Sequence, residues 1–430
     1  MSDRKNLNRA VSVARGYDPY TSEWLEHEFE SYALLREHLP VARTEQLAYR
    51  RQFNGGWLLT RYDDISACLS DTDVFSSQSS DYPQRPWIPQ AIDPPSHTAY
   101  RRIMNKWFTP EAMTAMEPHL WDFAGELLDK MLQKDEFDFV ADFADPFPTV
   151  IFCELFGFPL DDYEQLMDWK NTLMHATDGH SAGRALAVAK AKELGLQTPD
   201  EGELPSEVAG QVYGATAAAL YEYFGGLLEQ RREHARNDMI SQLIASEYDG
   251  ERPLTNEELL DTLFLMFMAG LDTVASAMGL IVKTFAEQPD KRREFIALMD
   301  DSQKLTLAVE ELVRTHAIVL LPRRVTEEKE FEGASMHAGD QVMCPTMAGN
   351  RDPEQFENPD EIIYDRVPNR HMGFGHGPHR CLGIHLARRE LRIGLQLLHQ
   401  RMPDYELHPD KKPELFGGMK GASSLWLRKG

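Results

Sequence analysis

Two groups of residues in this chain are equipped for chemistry: a cysteine that closes a glycine-rich loop, and an acid–alcohol pair set in an apolar run. Cys381 ends the stretch Phe374-Gly375-His376-Gly377-Pro378-His379-Arg380-Cys381-Leu382-Gly383. Beyond it, the spacing of Leu386, Leu391, Ile393, Leu397 and Leu398 predicts a helix over 382–402 with one buried stripe and charges elsewhere. Unpaired N–H groups and the positive end of the dipole favour an anion at a helix start, so a lowered thiol pKa and a metal-bound thiolate are expected there. Gly375, Gly377 and Gly383 let the backbone approach a large flat ligand, and Phe374 can shield one side. The same residues also admit a buried free cysteine or a zinc site with His371, His376, His379 and His385. Zinc fits poorly, because no second cysteine lies nearby.

The pair is Asp272-Thr273, in Ala269-Gly270-Leu271-Asp272-Thr273. The surrounding pattern predicts one continuous helix over 256–286, opened by a capping box of Thr255 and Glu258. At about 1.5 Å per residue it would be about 45 Å long, enough to cross a domain of this size. Small Ala269 and Gly270 would leave a groove for a bound diatomic beside a cofactor. Thr273 is placed to bond the Ala269 carbonyl one turn back and loosen the helix. A plain core helix explains everything here except Asp272, whose carboxylate is costly to bury among Phe264, Leu265, Met266, Phe267, Met268 and Val274.

The run 374–383 resembles the haem-binding signature of the cytochrome P450 superfamily, Phe-Gly-x-Gly-x-His-x-Cys-x-Gly, met at Phe374, Gly375, Gly377, His379, Cys381 and Gly383. The resemblance extends over about 34–427. It implies a mainly α fold with small β-sheets, a long central helix over haem b (iron protoporphyrin IX), and Cys381 as the axial iron ligand. It also implies that Ala269 and Gly270 face the cofactor while Asp272 and Thr273 deliver protons. Glu311 and Arg314, three apart on one helix face, match the family's structural Glu-x-x-Arg. Asn350-Arg351-Asp352-Pro353, Phe356, Pro359 and Asp365-Arg366 match the segment before the cysteine loop. His97, Arg101, Arg323 and His379 are the implied propionate contacts, with Arg324 competing for the third position. Leu265, Met268, Ala269, Ile318 and Val319 are expected to face substrate, with Trp87, Ile88 and Phe416 as further candidates. This apolar lining suits a hydrophobic small molecule such as a terpenoid, steroid, fatty acid or aromatic. The implied reaction is a monooxygenation, hydroxylation or dealkylation, with dioxygen and a ferredoxin-type donor served by its reductase. The alternatives are a peroxide-using or isomerising haem-thiolate enzyme and a non-enzymatic haem or metal-binding protein.

With 45 basic and 69 acidic residues, the 430-residue chain carries a net charge of −24, which argues against nucleic acid and anionic membrane surfaces. Locally the sign reverses: Arg101, Arg102 and Lys106, with Arg380, Arg388, Arg389 and Arg392, would form a basic dock for an acidic electron donor. Cys68, Cys153, Cys344 and Cys381 show no paired spacing, which fits a reducing cytoplasm. The amino terminus has no signal-peptide pattern, the apolar runs are too short for a membrane span, and no linker divides 1–430 into more than one domain. Helices are expected over 23–39, 62–69, 96–108, 110–133, 146–156, 160–176 and 215–236, and a strand over 57–60. Proline-rich 72–95 reads as an irregular pocket cover, and 177–212 as Ala/Gly-rich without clear pattern.

Overall fold

A computed structural model describes residues 2–45, 55–78, 85–178, 180–200 and 204–430. The expected helices appear as Ser22–His38, Tyr62–Ser70, Ser96–Asn105, Pro110–Met131, Pro146–Phe156 and Tyr163–His175, and the strand as Gly56–Leu59. Their starts follow local capping chemistry: Thr21 accepts the Trp24 N–H, and Thr109 accepts that of Ala112 just ahead of Pro110. Within 72–95, Phe75–Ser76 forms a short sheet edge, and residues 79–84 lie outside the described residues.

The stretch 177–212 contains more helix than its pattern suggests, namely Ser181–Glu193 and the first turns of Ser206–Glu233. The buried positions of the first helix are Gly183, Ala187 and Ala191, four apart. A stripe of such small residues packs well but carries almost no hydrophobic contrast, so periodicity does not find it.

The apolar run is not one helix but two, Asn256–Gly270 and Thr273–Glu287, separated at Leu271-Asp272. The predicted capping box is present at its start. At the break, the Thr273 hydroxyl donates to the Ala269 carbonyl at 3.3 Å, and Thr149 of a neighbouring helix donates to the Leu271 carbonyl at 3.3 Å. Side-chain hydroxyls thus replace backbone bonds, which is how a helix tolerates an interruption inside a core. By length and composition 256–287 would cross a membrane, but 78% of its most apolar window is buried within the protein, as in a core helix.

A five-stranded sheet runs in the order Val41–Thr44, Gly56–Leu59, Gln341–Pro345, Leu320–Val325, Phe75–Ser76. Its fourth strand pairs Arg323 with Val342 and Leu321 with Cys344. Strand alternation then decides between adjacent arginines, since Arg323 is buried and Arg324 exposed. The helix Ile384–Arg401 follows the cysteine loop and packs against Pro110–Met131, Thr273–Glu287 and Ser302–Thr315.

Candidate active site

The cysteine loop is built by close backbone approach. Gly375 and Gly377 adopt φ of +73° and +69°, and a side chain at Gly377 would lie 2.4 Å from the Leu69 carbonyl. Gly377 therefore serves packing of the loop on Tyr62–Ser70 rather than ligand approach. Gly383, by contrast, faces open space in the cavity. The Cys381 amide donates to the Phe374 carbonyl at 2.8 Å, which turns the thiol toward the cavity, where it is exposed.

The helix starts at Ile384, two residues later than expected, so Cys381 lies three residues before it rather than directly at its start. The expected lowering of its pKa is not found. Burial pushes the thiol up, against the opposing pull of the Gly383 N–H and of Arg101, Arg380 and Arg388. A bound metal ion would supply the charge that deprotonates such a thiol.

One cavity of about 330 Å³ joins the predicted site residues. Phe374, Gly375, His379, Cys381 and Gly383 border it on the loop side; Leu265, Met268, Ala269, Gly270 and Thr273 on the broken-helix side; Ile318, Val319 and Arg323 along the strand; His97 and Arg101 at the edge. Trp87 borders it as well, whereas Ile88 and Phe416 do not. Gly270 has a different use from the one expected: a side chain there would meet the Phe152 ring at 2.0 Å, so its space is already filled. Phe152 is itself held by stacking on Phe156 at 4.3 Å.

The cationic edge is a test of what the cavity accepts. His97 and His379 lie with ring centroids 4.1 Å apart, beside Arg101 and Arg323. Both nitrogens of His97, Nε of Arg323 and Nε2 of His379 are buried without hydrogen-bond partners among the described residues. Burial and the neighbouring arginines pull His97 down to about 4, and burial, Arg323, His97 and Arg101 pull His379 down to about 2. Unpaired polar groups beside the Arg101 and Arg323 guanidiniums suit an anion at this edge. A macrocycle bearing two carboxylates would suit this edge, where His97, Arg101, Arg323 and His379 would hold its anionic groups and Cys381 would supply a thiolate ligand. The zinc alternative does not fit: His371 bonds Glu310, His376 bonds Ser66, and no group of three His, Cys, Asp or Glu among the described residues is placed to hold a metal.

Asp272 stands apart from this arrangement. Its side chain does not border the cavity but turns toward Lys170 and His175, whose Nζ and Nε2 lie 3.0 and 3.2 Å from Oδ1. Burial would raise Asp272, yet His175 and Lys170 outweigh it and hold the carboxyl far below its usual range. Burial likewise pulls His175 down, but Asp272 and Asp178 on its two nitrogens push it up to about 9. Two carboxylate acceptors require two N–H donors, so His175 is an imidazolium. Nothing in the local sequence marks Lys170 or His175, because their partner is 102 and 97 residues away.

A sequence model of the family described as "Cytochrome P450" matches residues 57–420. The chain belongs to the cytochrome P450 family. It is similar to the probable cytochrome P450 127A1 of Sinorhizobium fredii, 33% identical over 88% of this chain and 84% of the relative. It also resembles the mycinamicin IV hydroxylase/epoxidase of Micromonospora griseorubida, 32% identical over 87% and 88%. Among solved structures, CYP109E1 of Bacillus megaterium in complex with testosterone superposes with a TM-score of 0.80 at 28% identity, covering 95% of this chain and all of that one. The chain is therefore a P450 monooxygenase, an oxidoreductase of the haem-dependent class that acts on organic substrates with dioxygen and redox partners.

In this P450 the Glu-x-x-Arg pair is no surface ion pair. Glu311 and Arg314 are both 0% exposed and joined by two bonds of 2.8 Å. Arg314 also donates to the carbonyls of Asn350, Pro359 and Glu361, and Glu311 accepts from Arg366, Asn369 and the Ile363 amide. Asn350 then accepts the Met372 amide at 2.7 Å, and the Met372 carbonyl accepts that of Gly375. A continuous chain of hydrogen bonds thus runs from the helix Ser302–Thr315 to the cysteine loop.

The basic surface of the P450 is smaller than its sequence suggests. Arg102 pairs with Asp249, Arg388 with Glu310, and Arg389 and Arg392 with Glu117. Arg101 donates to the Arg380 carbonyl at 2.9 Å, which brings the two basic segments together as expected. Lys106 and Arg380 are exposed and form no ion pair among the described residues. Sequence reasoning missed Tyr20, Gln90, Met174, Met419 and Glu390 in the cavity wall. Of these only Glu390 left a signal, since it follows Leu386 by four on the apolar stripe.

Proposed function

We propose that this P450 binds haem b through Cys381, with His97, Arg101, Arg323 and His379 around the propionates, and inserts one oxygen atom of dioxygen into a hydrophobic organic substrate by hydroxylation or dealkylation. Electrons come from a ferredoxin-type protein and its reductase, in the cytoplasm. The observation that carries this reading is a single cavity with the Cys381 thiol on one side and the Ala269–Thr273 break on the other. Bound haem supplies the dioxygen chemistry; the chain supplies ligation, position, dryness and protons. The substrate wall is apolar and rich in thioethers from Met174, Met266, Met268 and Met419, which adapt to varied shapes. Relatives named for mycinamicin IV and structures holding testosterone and erythromycin B support bulky hydrophobic substrates.

Proton supply runs through the helix break. His175 holds a proton against Asp272 at the break between the two helices, and the adjacent Thr273 borders the cavity. Thr273→Ala is expected to bind haem and substrate normally while diverting electrons into peroxide. Asp272→Asn is expected to slow turnover by roughly 100-fold, the lower end of general acid–base contributions. Product formed per reduced nicotinamide consumed measures both; unchanged coupling and rate in the two variants would remove these residues from the mechanism. Wild-type turnover as fast with peroxide alone as with an electron donor would favour the peroxide-using alternative.

The electron donor meets the exposed cations nearest the cysteine loop. The first electron transfer should slow with added salt, as the Debye length falls from about 10 Å at 0.1 M to about 3 Å at 1 M. Lys106→Glu or Arg380→Glu should reproduce that slowing with substrate affinity intact, whereas Arg102→Glu should do less because Asp249 already neutralises Arg102. Rates indifferent to salt and to Lys106 and Arg380 would place the donor elsewhere.

A further inference from the structure

The connector between the two amino-terminal helices, Ser2–Arg15 and Ser22–His38, brings Tyr20 into the cavity wall. Local chemistry holds that connector in one shape. The Tyr20 amide donates to Oδ1 of Asp18 at 3.1 Å, the Thr21 hydroxyl donates to the Asp18 carbonyl at 3.0 Å, and Thr21 then caps the second helix. Around it, Tyr17, Trp24 and Tyr32 meet edge to face, with centroids 4.7 and 5.4 Å apart. They belong to a buried cluster that includes Ala317, the neighbour of cavity-lining Ile318. The connector is thereby tied to the cavity wall by its own core.

Facing Tyr20 is the turn that joins the strands Glu414–Phe416 and Gly421–Ser424. A side chain at Gly417 would lie 2.0 Å from the Pro19 carbonyl, and one at Gly418, whose φ is +73°, would lie 2.2 Å from the Tyr20 ring. The ring is seated on bare backbone. Bonds on every side fix the turn: the Gly418 amide donates to the Pro19 carbonyl at 2.9 Å, that of Gly417 to Asp178 at 3.1 Å, and that of Lys420 to Ile318 at 3.2 Å. Lys420 also pairs with buried Glu28 of the second helix and lies 4.5 Å from the centroid of the Phe29 ring. Tyr20 therefore sits among Met174, Ile318, Gly418 and Met419 in the wall, between partners that are held by backbone bonds. The thioether chains of Met174 and Met419 can adapt to a ligand, but the Tyr20 ring has no such freedom on its glycine seat.

We infer that Tyr20 is a specificity-determining residue of this P450, a rigid stop that sets how long an apolar substrate the cavity accepts. The inference rests on the haem-binding reading above and adds a limit on substrate length to it. An apolar chain gains about fourfold in affinity for each methylene it buries. That gain ends where the chain meets a wall that does not give.

The test titrates the haem-loaded full chain with N-alkylimidazoles of increasing tail length, from methyl to dodecyl. Their free ring nitrogen ligates haem iron and shifts the Soret band, while the tail probes the cavity. In wild type the Kd should fall with tail length up to a limiting chain and then level off. Tyr20→Ala should move that limit outward, so that a tail roughly two carbons beyond the wild-type limit binds more than about tenfold tighter, with the Kd of N-methylimidazole unchanged. Tyr20→Leu keeps an apolar filler, should move the limit by less, and guards against a poorly folded alanine variant. A limit that stays in place in both variants would overturn the inference. So would a uniform loss of affinity at every length, N-methylimidazole included, because that is the mark of a purely structural residue. Failure of imidazole itself to shift the wild-type band would overturn the haem reading and this inference together, whereas an unmoved limit overturns this inference alone.

Discussion

Cys381→Ala is expected to abolish monooxygenase activity and to remove the red-shifted Soret band that a thiolate-ligated haem gives when reduced and treated with carbon monoxide. The thiol is the group directed into the cavity from the loop that Phe374 and Gly377 shape, and among the described residues no other cysteine borders the cavity. The polypeptide should remain folded, because Cys381 is exposed to the cavity and contributes little packing. Cys381→His tests the geometry separately: it should retain haem without the thiolate band. Survival of a normal thiolate spectrum in the alanine variant would sink the ligand assignment.

The largest stability effect is expected at Glu311. Removing its carboxylate leaves Arg314 and Arg366 charged and buried, with side-chain exposures of 0% and 7%. Breaking a buried ion pair from one side costs about 3–5 kcal/mol, because the remaining charge is uncompensated. Against a total stability of about 5–15 kcal/mol this is a large share. Glu311→Ala should therefore unfold at much lower denaturant concentration. It should also lose haem, since the hydrogen-bond chain through Asn350 and Met372 ends on the cysteine loop. A denaturation midpoint within experimental error of wild type would show that the brace carries no such load.

Much of the site was legible because its chemistry demands contiguous residues. The loop 374–383 has to turn tightly, expose a thiol and enter a helix within ten positions, so its residue types sit together in the chain. The Thr255 and Glu258 box, the Thr273 bond to Ala269 and the buried stripe after Cys381 were legible for the same reason: their partners are within one or two turns. Asp272 was legible only as an anomaly, a carboxylate in an apolar run. Its partners come from another helix, and they reverse the simple picture of a free acid facing the cofactor.

The sequence by itself determined the family, the thiol and its loop, the order of the helices and the cationic residues near the cavity edge, because these depend on short-range spacing and on the types of side chain present. Only the tertiary structure decided the rest. It broke the long helix where Thr149 and Thr273 satisfy freed carbonyls, and it chose Arg323 over Arg324 through strand alternation. It placed helices in 177–212 on small residues, and it paired most of the basic dock with acids of distant segments. It also set the sign of the pKa shifts at Cys381 and His175. The physical reason is common to all of these: desolvation and pairing depend on which remote groups meet in space, and adjacency along the chain does not encode that.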